Sequence, residues 1–332
     1  MKLEERIEAF AELKRKIDGL SDQDLDKISQ GASIHNKWFT KESVTQAFEG
    51  ISYMLEHEKL IEWTNRYKLD IEVPKIVGIV MAGNIPMVGF HDLLCILLSG
   101  HYAAIKPSSD DTFLIKQVVD WIIEIEPRFN KNIELREKLT NIDAVIATGS
   151  DNSARYFDYY FKDIPSIIRK NRTSISIING EETEQELKNL GQDIFSYFGL
   201  GCRNVSKVFT PKGYDLTSIF PLWEEHSEVI NHHKYRNNYD YHKSIYLVNK
   251  TPHLDTGYLL VVSSDELVSP LSVLYHQEYE SRESLEEVLA EHSEKIQCKV
   301  SKDDIPFGQT QIPEVWDYAD NVDVLAFLST IK

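Results

Sequence analysis

Leu3, Ile7, Phe10, Leu13, Ile17 and Leu20 recur at steps of three and four, the helical period, and predict an amphipathic helix that Gly19 would stop. Thr40 is a plausible N-cap for a second helical stretch, which carries Val44, Phe48, Ile51, Met54, Leu55 and Leu60 toward a core. The pattern changes at Leu69. LDIEV alternates, and KIVGIVMAG is a near-continuous run rich in β-branched residues, as expected of a strand buried on both faces. Runs of the same kind occur at residues 102–106, 143–147 and 174–178, with helical stretches at 86–98, 112–125 and 153–161 between them. Strand and helix therefore alternate, which predicts an α/β chain with a doubly wound parallel sheet and a ligand at the carboxyl ends of the strands, after Met81, Lys106 and Ala147. Beyond Gly199 a smaller α/β lobe is expected, with strands at 244–248 and 258–262 and a helix at 285–292. The final stretch, residues 305–332, contains several large apolar residues and does not read as a linker.

At 332 residues the chain exceeds the size at which one core keeps growing, consistent with two lobes. Thirty-six Lys and Arg against fifty-three Asp and Glu leave a net charge of −17, a field that repels phosphate backbones and argues against a nucleic-acid partner. A hydrophobic fraction of 42% excludes disorder as the overall state. The richest apolar zone, residues 76–105, is broken by Asn84, Pro86, His91, Asp92 and His101, so no membrane span is expected. The opening MKLEERIEAF turns acidic within four residues and lacks an apolar stretch, unlike a signal peptide. Cys95, Cys202 and Cys298 form no CxxC pair, which suits a reducing compartment, and a cytoplasmic location is expected.

Cys202 lies in FGLGCRNVSK between glycines and a cation: glycines admit close approach of a substrate, and Arg203 would favour the thiolate. The alternative is a small buried residue, the expectation for Cys95 inside LLCILL, while Cys298 has no glycine setting. Asn84, in MAGNIPMVGF, follows a buried strand, and its amide could donate to an oxyanion or simply form a turn before a helix opened by Pro86. Lys106 ends a strand in IKPSS, either as an anion ligand or as a solvated strand end, and Gly149-Ser150 precedes a helix whose first amides could face a phosphate. No Walker, zincin or serine-hydrolase motif occurs, and His226, His232, His233 and His242 show no metal-ligand spacing, so no metal is expected.

Taken in order, VGIVMAGNIPMVGF, AAIKPSS, IATGS and FGLGCRNVSK resemble the cofactor and nucleophile motifs of the aldehyde dehydrogenase superfamily. Within it, the chain is most similar to the acyl-CoA reductases typified by the fatty-acid reductase of bacterial bioluminescence, a similarity that extends to the ending IPFGQTQIPEVWDYADNVDVLAFL. The resemblance implies an aldehyde-dehydrogenase-like fold divided into a helical N-terminal extension (1-70), a dinucleotide-binding domain (71-198), a catalytic domain (199-304) and a tail (305-332). It implies Cys202 as nucleophile, with Asn84 and the Cys202 backbone amide as oxyanion hole. Lys106, Ser108, Ser109, Gly149, Ser150 and Glu266 would bind the cofactor, Glu266 by matching the Glu of an EIFGP-like motif in which Ser269 replaces the usual Gly.

Two departures from the superfamily pattern are informative. The stretch IPSIIRKNRTSISIING, residues 164–180, carries no carboxylate where hydrolytic relatives hold a general base, so a thioester on Cys202 would lack activated water; Glu181 and Glu182 are the remaining candidates for that base. Ser109 stands where NAD-specific relatives often place a Glu, which favours NADPH, although NADH also fits and Asp110 and Asp111 follow directly. The implied activity is NADPH-dependent reduction of an acyl-CoA or acyl-carrier thioester to an aldehyde. A semialdehyde or acyl-phosphate reductase, using Arg169, Lys170, Arg172 and Arg203, is the enzymatic rival, and a non-catalytic acyl-CoA or nucleotide-binding homologue is the rival from another class. The arm that usually builds dimers in the superfamily is abbreviated around residues 65–73, which leaves a homo-oligomer or a reductase complex open.

Overall fold

A computed structural model describes residues 1–69 and 71–331. Asp70, inside the alternating LDIEV segment, and Lys332, at the end of the tail, lie outside the described residues. Contacts divide the chain into two compact units, Met1–Asn171 together with the segment that begins at Pro313, and Arg172–Ile312.

The first unit opens with α1 (Leu3–Asp18), α2 (Asp22–His35), α3 (Lys41–Met54) and α4 (His57–Thr64). The stripe Ile7, Phe10, Leu13 and Ile17 of α1 is buried and Gly19 caps the helix, as its period predicts. Thr40 accepts the Ser43 N–H at the start of α3, but the expected single helix breaks at Leu55, and Leu60 is buried from α4 instead. The Ser21 capping box that starts α2 was not read from the sequence. Next come β1 (Ile76–Val80), α5 (Phe90–Ser99), β2 (Tyr102–Lys106), α6 (Thr112–Ile125), β3 (Ile133–Leu135), β4 (Ala144–Thr148), α7 (Asp151–Tyr160) and β5 (Ser166–Arg169). They build a parallel sheet in the order β3-β2-β1-β4-β5, whose order reverses between β1 and β4. The N-terminal helices pack on this layer: Phe10 meets Phe129 at 5.9 Å and Phe48 meets Trp121 at 5.7 Å.

The second unit contains β6 (Thr173–Ile177), α8 (Glu184–Phe195), β7 (Val205–Pro211), α9 (His233–Asn249), β8 (Leu254–Asp255), β9 (Leu260–Ser263), β10 (Val273–Tyr279), α10 (Arg282–Glu291) and β11 (Ile296–Val300). Its sheet runs β11-β6-β7-β10-β9-β8, parallel except for the β8–β9 pair. The strand read at 174–178 thus belongs to this sheet and not to the first, and the structural break falls at 171/172 rather than at 198/199. Periodicity shows that a strand exists but not which neighbour it pairs with.

The strand expected at 244–248 is corrected: SIYLV lies in α9. Tyr235 and Tyr239 are buried and Tyr246 half-buried at helical spacing, so the longer period outweighs a short apolar run whose Leu247 and Val248 face solvent. The chain then re-enters the first unit, where α11 (Val324–Thr330) packs on α5 and buries Val324, Leu325 and Leu328. Among the described residues no helix is long and apolar enough to cross a membrane.

Candidate functional site

The first unit gathers several sequence-predicted residues at one edge of its sheet. β1, β2 and β4 are neighbours, so the loops after Val80, Lys106 and Thr148 all leave from the carboxyl edge, where open α/β sheets bind ligands. Asn84 is exposed on the first of these loops, Lys106, Ser108 and Ser109 are on or next to the second, and Gly149 and Ser150 are on the third. Pro86 does not open α5 as expected; the helix begins at Phe90, and residues 84–89 form turns, with Met87 at φ 55°. That excursion keeps Asn84 on a loop rather than in a helical turn.

The Asn84 loop is held from below. Asn36, buried, donates from Nδ2 to the Gly83 carbonyl at 3.1 Å, and the Asp111 carboxylate oxygen Oδ2 accepts the Met87 N–H at 2.6 Å. Gly83 is required by contact, because a Cβ there would lie 2.6 Å from Ser108 Oγ. The loops after β1 and β2 therefore pack directly on one another. Asp111, the N-cap residue of α6, is 1% exposed, and burial, with the Asp110 charge adding, pushes its pKa up to about 8 against the pull of the Met87 N–H. Of the two carboxylates that could repel a 2′-phosphate, Asp111 is thus turned inward; Asp110 is exposed.

Gly149 has a packing reason of its own: a Cβ would lie 2.8 Å from Ser153 Cβ and 2.9 Å from the Phe157 ring on α7. Its N–H donates to the Arg169 carbonyl at 3.3 Å, so that amide is already engaged. Ser150 caps α7, its Oγ accepting the Ser153 N–H at 3.3 Å, and is exposed at that helix's positive end. Beneath this edge, Arg169 donates from Nη1 to Asp92 at 2.5 Å, with both side chains buried.

The second unit carries Cys202 in a turn that is stapled from several directions. Tyr197 and Phe198, at φ 50° and 59°, and Gly199, at φ 80°, place three successive residues in the left-handed region; for non-glycine residues this costs about 1–2 kcal/mol each. Asn204 meets that cost with hydrogen bonds. Its Nδ2 donates to the carbonyls of Asp193 and Ser196 at 3.1 and 2.8 Å, and its Oδ1 accepts the Gly201 N–H at 2.8 Å. Ser174 Oγ donates to the Cys202 carbonyl at 3.0 Å. Arg203, the expected thiolate partner, donates from Nε to the Thr310 carbonyl at 2.7 Å, and Thr310 is tied by its own N–H to Asp193 Oδ1 at 3.1 Å. Cys202 itself is partly exposed, whereas Cys95 and Cys298 are buried, and burial pushes the Cys95 thiol well above its ordinary range.

Glu266 is exposed on the loop between β9 and β10 of the same unit, and Ser269 on that loop donates to the Val273 carbonyl at 2.6 Å. Glu182, one candidate for the missing base, accepts the N–H groups of Asn179 and Gly180 at 2.8 and 3.0 Å and is thereby held in its own turn. The histidines weighed as ligands are placed by packing: His226 stacks on Phe195 at 5.1 Å and His232 lies 4.6 Å from the Phe198 ring. Sequence reasoning missed Asn36, Asn204 and Lys207, buried polar residues that hold these loops, and read Asp111 only as a charge near the cofactor, not as a buried anchor for the Met87 N–H.

No family model matches the chain, and no curated protein matches it. Solved structures do. An aldehyde dehydrogenase from Bacillus cereus in complex with NAD+ aligns at a TM-score of 0.61 and 14% identity, covering 87% of this chain and 69% of that one. An indole-3-acetaldehyde dehydrogenase in complex with NAD+ aligns at 0.66 and 11% identity, covering 87% and 70%. An aldehyde dehydrogenase from Pseudomonas aeruginosa aligns at 0.63 and 11% identity, covering 87% and 69%. The fold is that of the aldehyde dehydrogenases. At these identities the likeness concerns the fold, and the chemistry of this chain has to be argued from its own side chains.

Proposed function

We propose that the chain reduces an acyl thioester, carried by CoA or by an acyl-carrier thiol, to an aldehyde at the expense of NADPH. The observation that carries this reading is Cys202: a partly exposed thiol in an Asn204-stapled, left-handed turn within an aldehyde dehydrogenase fold, while the two other cysteines are buried. Strain held in place by hydrogen bonds is typical of a segment selected for presentation rather than for stability.

In this reading the Cys202 thiolate attacks the acyl carbonyl, forming a carbon–sulfur bond, and the carrier thiolate leaves and takes a proton. Asn84 and the Cys202 N–H are the assigned oxyanion donors. The carboxyl edge of the first sheet fits a dinucleotide: the Lys106 ammonium, the hydroxyls of Ser108 and Ser109, and the α7 N-terminus at Ser150 form a donor set suited to ribose and phosphate, and Gly83 allows the first two loops to pack closely. Glu266 is assigned to the nicotinamide ribose. NADPH held there would supply the hydride that reduces the Cys202 thioester to the aldehyde, with the Cys202 thiolate as leaving group. The absence of a carboxylate from residues 164–180, together with the engagement of Glu182 by its own turn, supports a thioester spared from hydrolysis, with the exposed Glu181 as the remaining candidate for a base. Ser109 and the inward Asp111 support NADPH over NADH.

Three of the four cations a polar-substrate reductase would use are engaged elsewhere, Arg169 by Asp92, Arg172 by the Ile296 carbonyl at 3.3 Å and Arg203 by the Thr310 carbonyl, while Lys170 is exposed. This weighs against the semialdehyde and acyl-phosphate readings. Intact-mass spectrometry with a panel of acyl-CoAs is the test, run with and without NADPH and beside Cys202→Ala. An acyl adduct on the wild type, absent from the variant and discharged by NADPH, is expected. No adduct alongside tight CoA or NADPH binding would replace the reductase with a binding protein.

A further inference from the structure

Lys207, in the middle of β7, is fully buried. A lysine in that state forfeits the hydration of its ammonium, and a chain under selection for stability alone would place an apolar residue there. The hydrogen bond Lys207 makes is to a neutral acceptor, the Glu266 carbonyl, at 3.0 Å, and its Nζ lies 4.8 Å from the centre of the Phe209 ring. Burial draws its pKa down to about 8, with Asp265 acting to raise it.

The adjacent residue of β7 makes the matching contact. Ser206 Oγ donates to the Leu267 carbonyl at 3.0 Å and shares a 2.6 Å hydrogen bond with Thr173. Two consecutive side chains of one strand thus grip two consecutive carbonyls of the loop between β9 and β10. The loop is also tied by Glu266 N–H to Ser264 Oγ at 3.1 Å, Ser264 N–H to the His276 carbonyl at 3.1 Å and Ser269 Oγ to the Val273 carbonyl at 2.6 Å, and the Leu267 side chain is buried with Ile175, Phe209, Leu285, Leu289 and Ile296. The Glu266 side chain projects into solvent from this fixed backbone. β7 is also the strand that emerges directly from the Cys202 turn.

We propose that Lys207 is a positioning residue for Glu266: by holding its carbonyl against β7, the strand that leaves the Cys202 turn, it presents the Glu266 carboxylate at a fixed place for the ribose of a nicotinamide cofactor. This rests on the assignment of Glu266 to the cofactor made above. Lys207 touches neither substrate nor cofactor in this scheme; it acts through the backbone of the loop.

Lys207→Met tests it, since methionine keeps the length and apolar stem but removes the donor. Two readouts are taken, hydrogen exchange of the peptide spanning residues 263–268 and NADPH affinity by fluorescence titration, each in the wild-type and Glu266→Gln backgrounds. Expected are exchange faster by at least about tenfold in that peptide, NADPH binding weaker by about tenfold, and no further weakening when Lys207→Met is added to Glu266→Gln, because one residue acts through the other. If Glu266→Gln weakens binding while Lys207→Met changes neither readout, the positioning role is overturned and the Glu266 assignment survives. If the loop loosens but Glu266→Gln binds NADPH like the wild type, the cofactor assignment fails and takes this proposal with it. Should Lys207→Met not fold, Ser206→Ala releases the neighbouring carbonyl without touching the charge and is expected to loosen the same peptide; unchanged exchange there overturns the two-carbonyl grip.

Discussion

Replacing Asp111 by asparagine isolates a single ionisation. The native carboxyl is 1% exposed, accepts the Met87 N–H and has its pKa pushed by burial to about 8, against an ordinary 3.8. Between about pH 4 and pH 8 the native state retains a proton that the unfolded chain has released. The stability tied to that proton is therefore full below pH 4 and declines as pH rises, until the native carboxyl ionises near pH 8. The slope is about 1.4 kcal/mol per pH unit, which integrates to roughly 6 kcal/mol as an upper bound over that range. Relaxation of the 82–87 loop or entry of water would lower the total. Asparagine keeps a carbonyl for the Met87 N–H and cannot ionise, and whatever the buried amide costs is independent of pH.

Urea unfolding of wild type and Asp111→Asn at pH 5, 6, 7 and 8 reads the difference directly, because every other titrating group is common to both chains. The difference should move in favour of the variant by up to about 1.4 kcal/mol for each pH unit. A flat difference, or one that moves the other way, would refute the reasoning. It would mean that the Met87 N–H and the positive end of α6 outweigh burial and that the carboxylate is charged in the native state.

Two further outcomes follow from burial. Iodoacetamide under native conditions should label Cys202 and leave Cys95 and Cys298 intact until the chain is unfolded; peptide mapping checks this, and comparable labelling of Cys95 would contradict its placement in the core. Asp92→Asn should destabilise the chain by about 3–5 kcal/mol in urea unfolding, because the buried Arg169 guanidinium loses its counter-charge. An unchanged urea midpoint would show that water reaches the pair.

The sequence was most legible where one physical signal acted alone. Residues 102–106 and 112–125 were placed at their ends because a doubly buried strand and an amphipathic helix each leave a clean period, and Lys106 and Pro107 end the strand. Residues 244–248 were misread because SIYLV in isolation satisfies strand chemistry, and the helical register is set by Tyr235 and Tyr239 upstream. β10, reading VLYHQEY, was missed since His276 and Gln277 break the apolar pattern; His276 Nε2 pairs with Thr210 Oγ1 at 2.8 Å, a cross-strand contact that no linear pattern encodes. The exposed candidates, Asn84, Lys106, Ser109, Ser150 and Glu266, were named from motif order and their roles belong to the proposal, whereas the loop contacts of Asp111, Asn204 and Lys207 leave no linear signal. Their meaning lies in which carbonyl or amide of a distant loop they meet, at sequence separations of 24 for Asp111 with Met87 and 59 for Lys207 with Glu266.

The first unit is discontinuous, and this sets an order of events during synthesis. Residues 172–312 form one uninterrupted stretch that can collapse on its own as it leaves the ribosome. The first unit is made earlier but lacks its last helix, and the α5 surface that will cover Val324, Leu325 and Leu328 stays exposed until α11 emerges. A nascent chain stalled before residue 324 therefore carries an uncovered apolar face on its older half, the kind of surface that chaperones engage. The younger half is then expected to mature first.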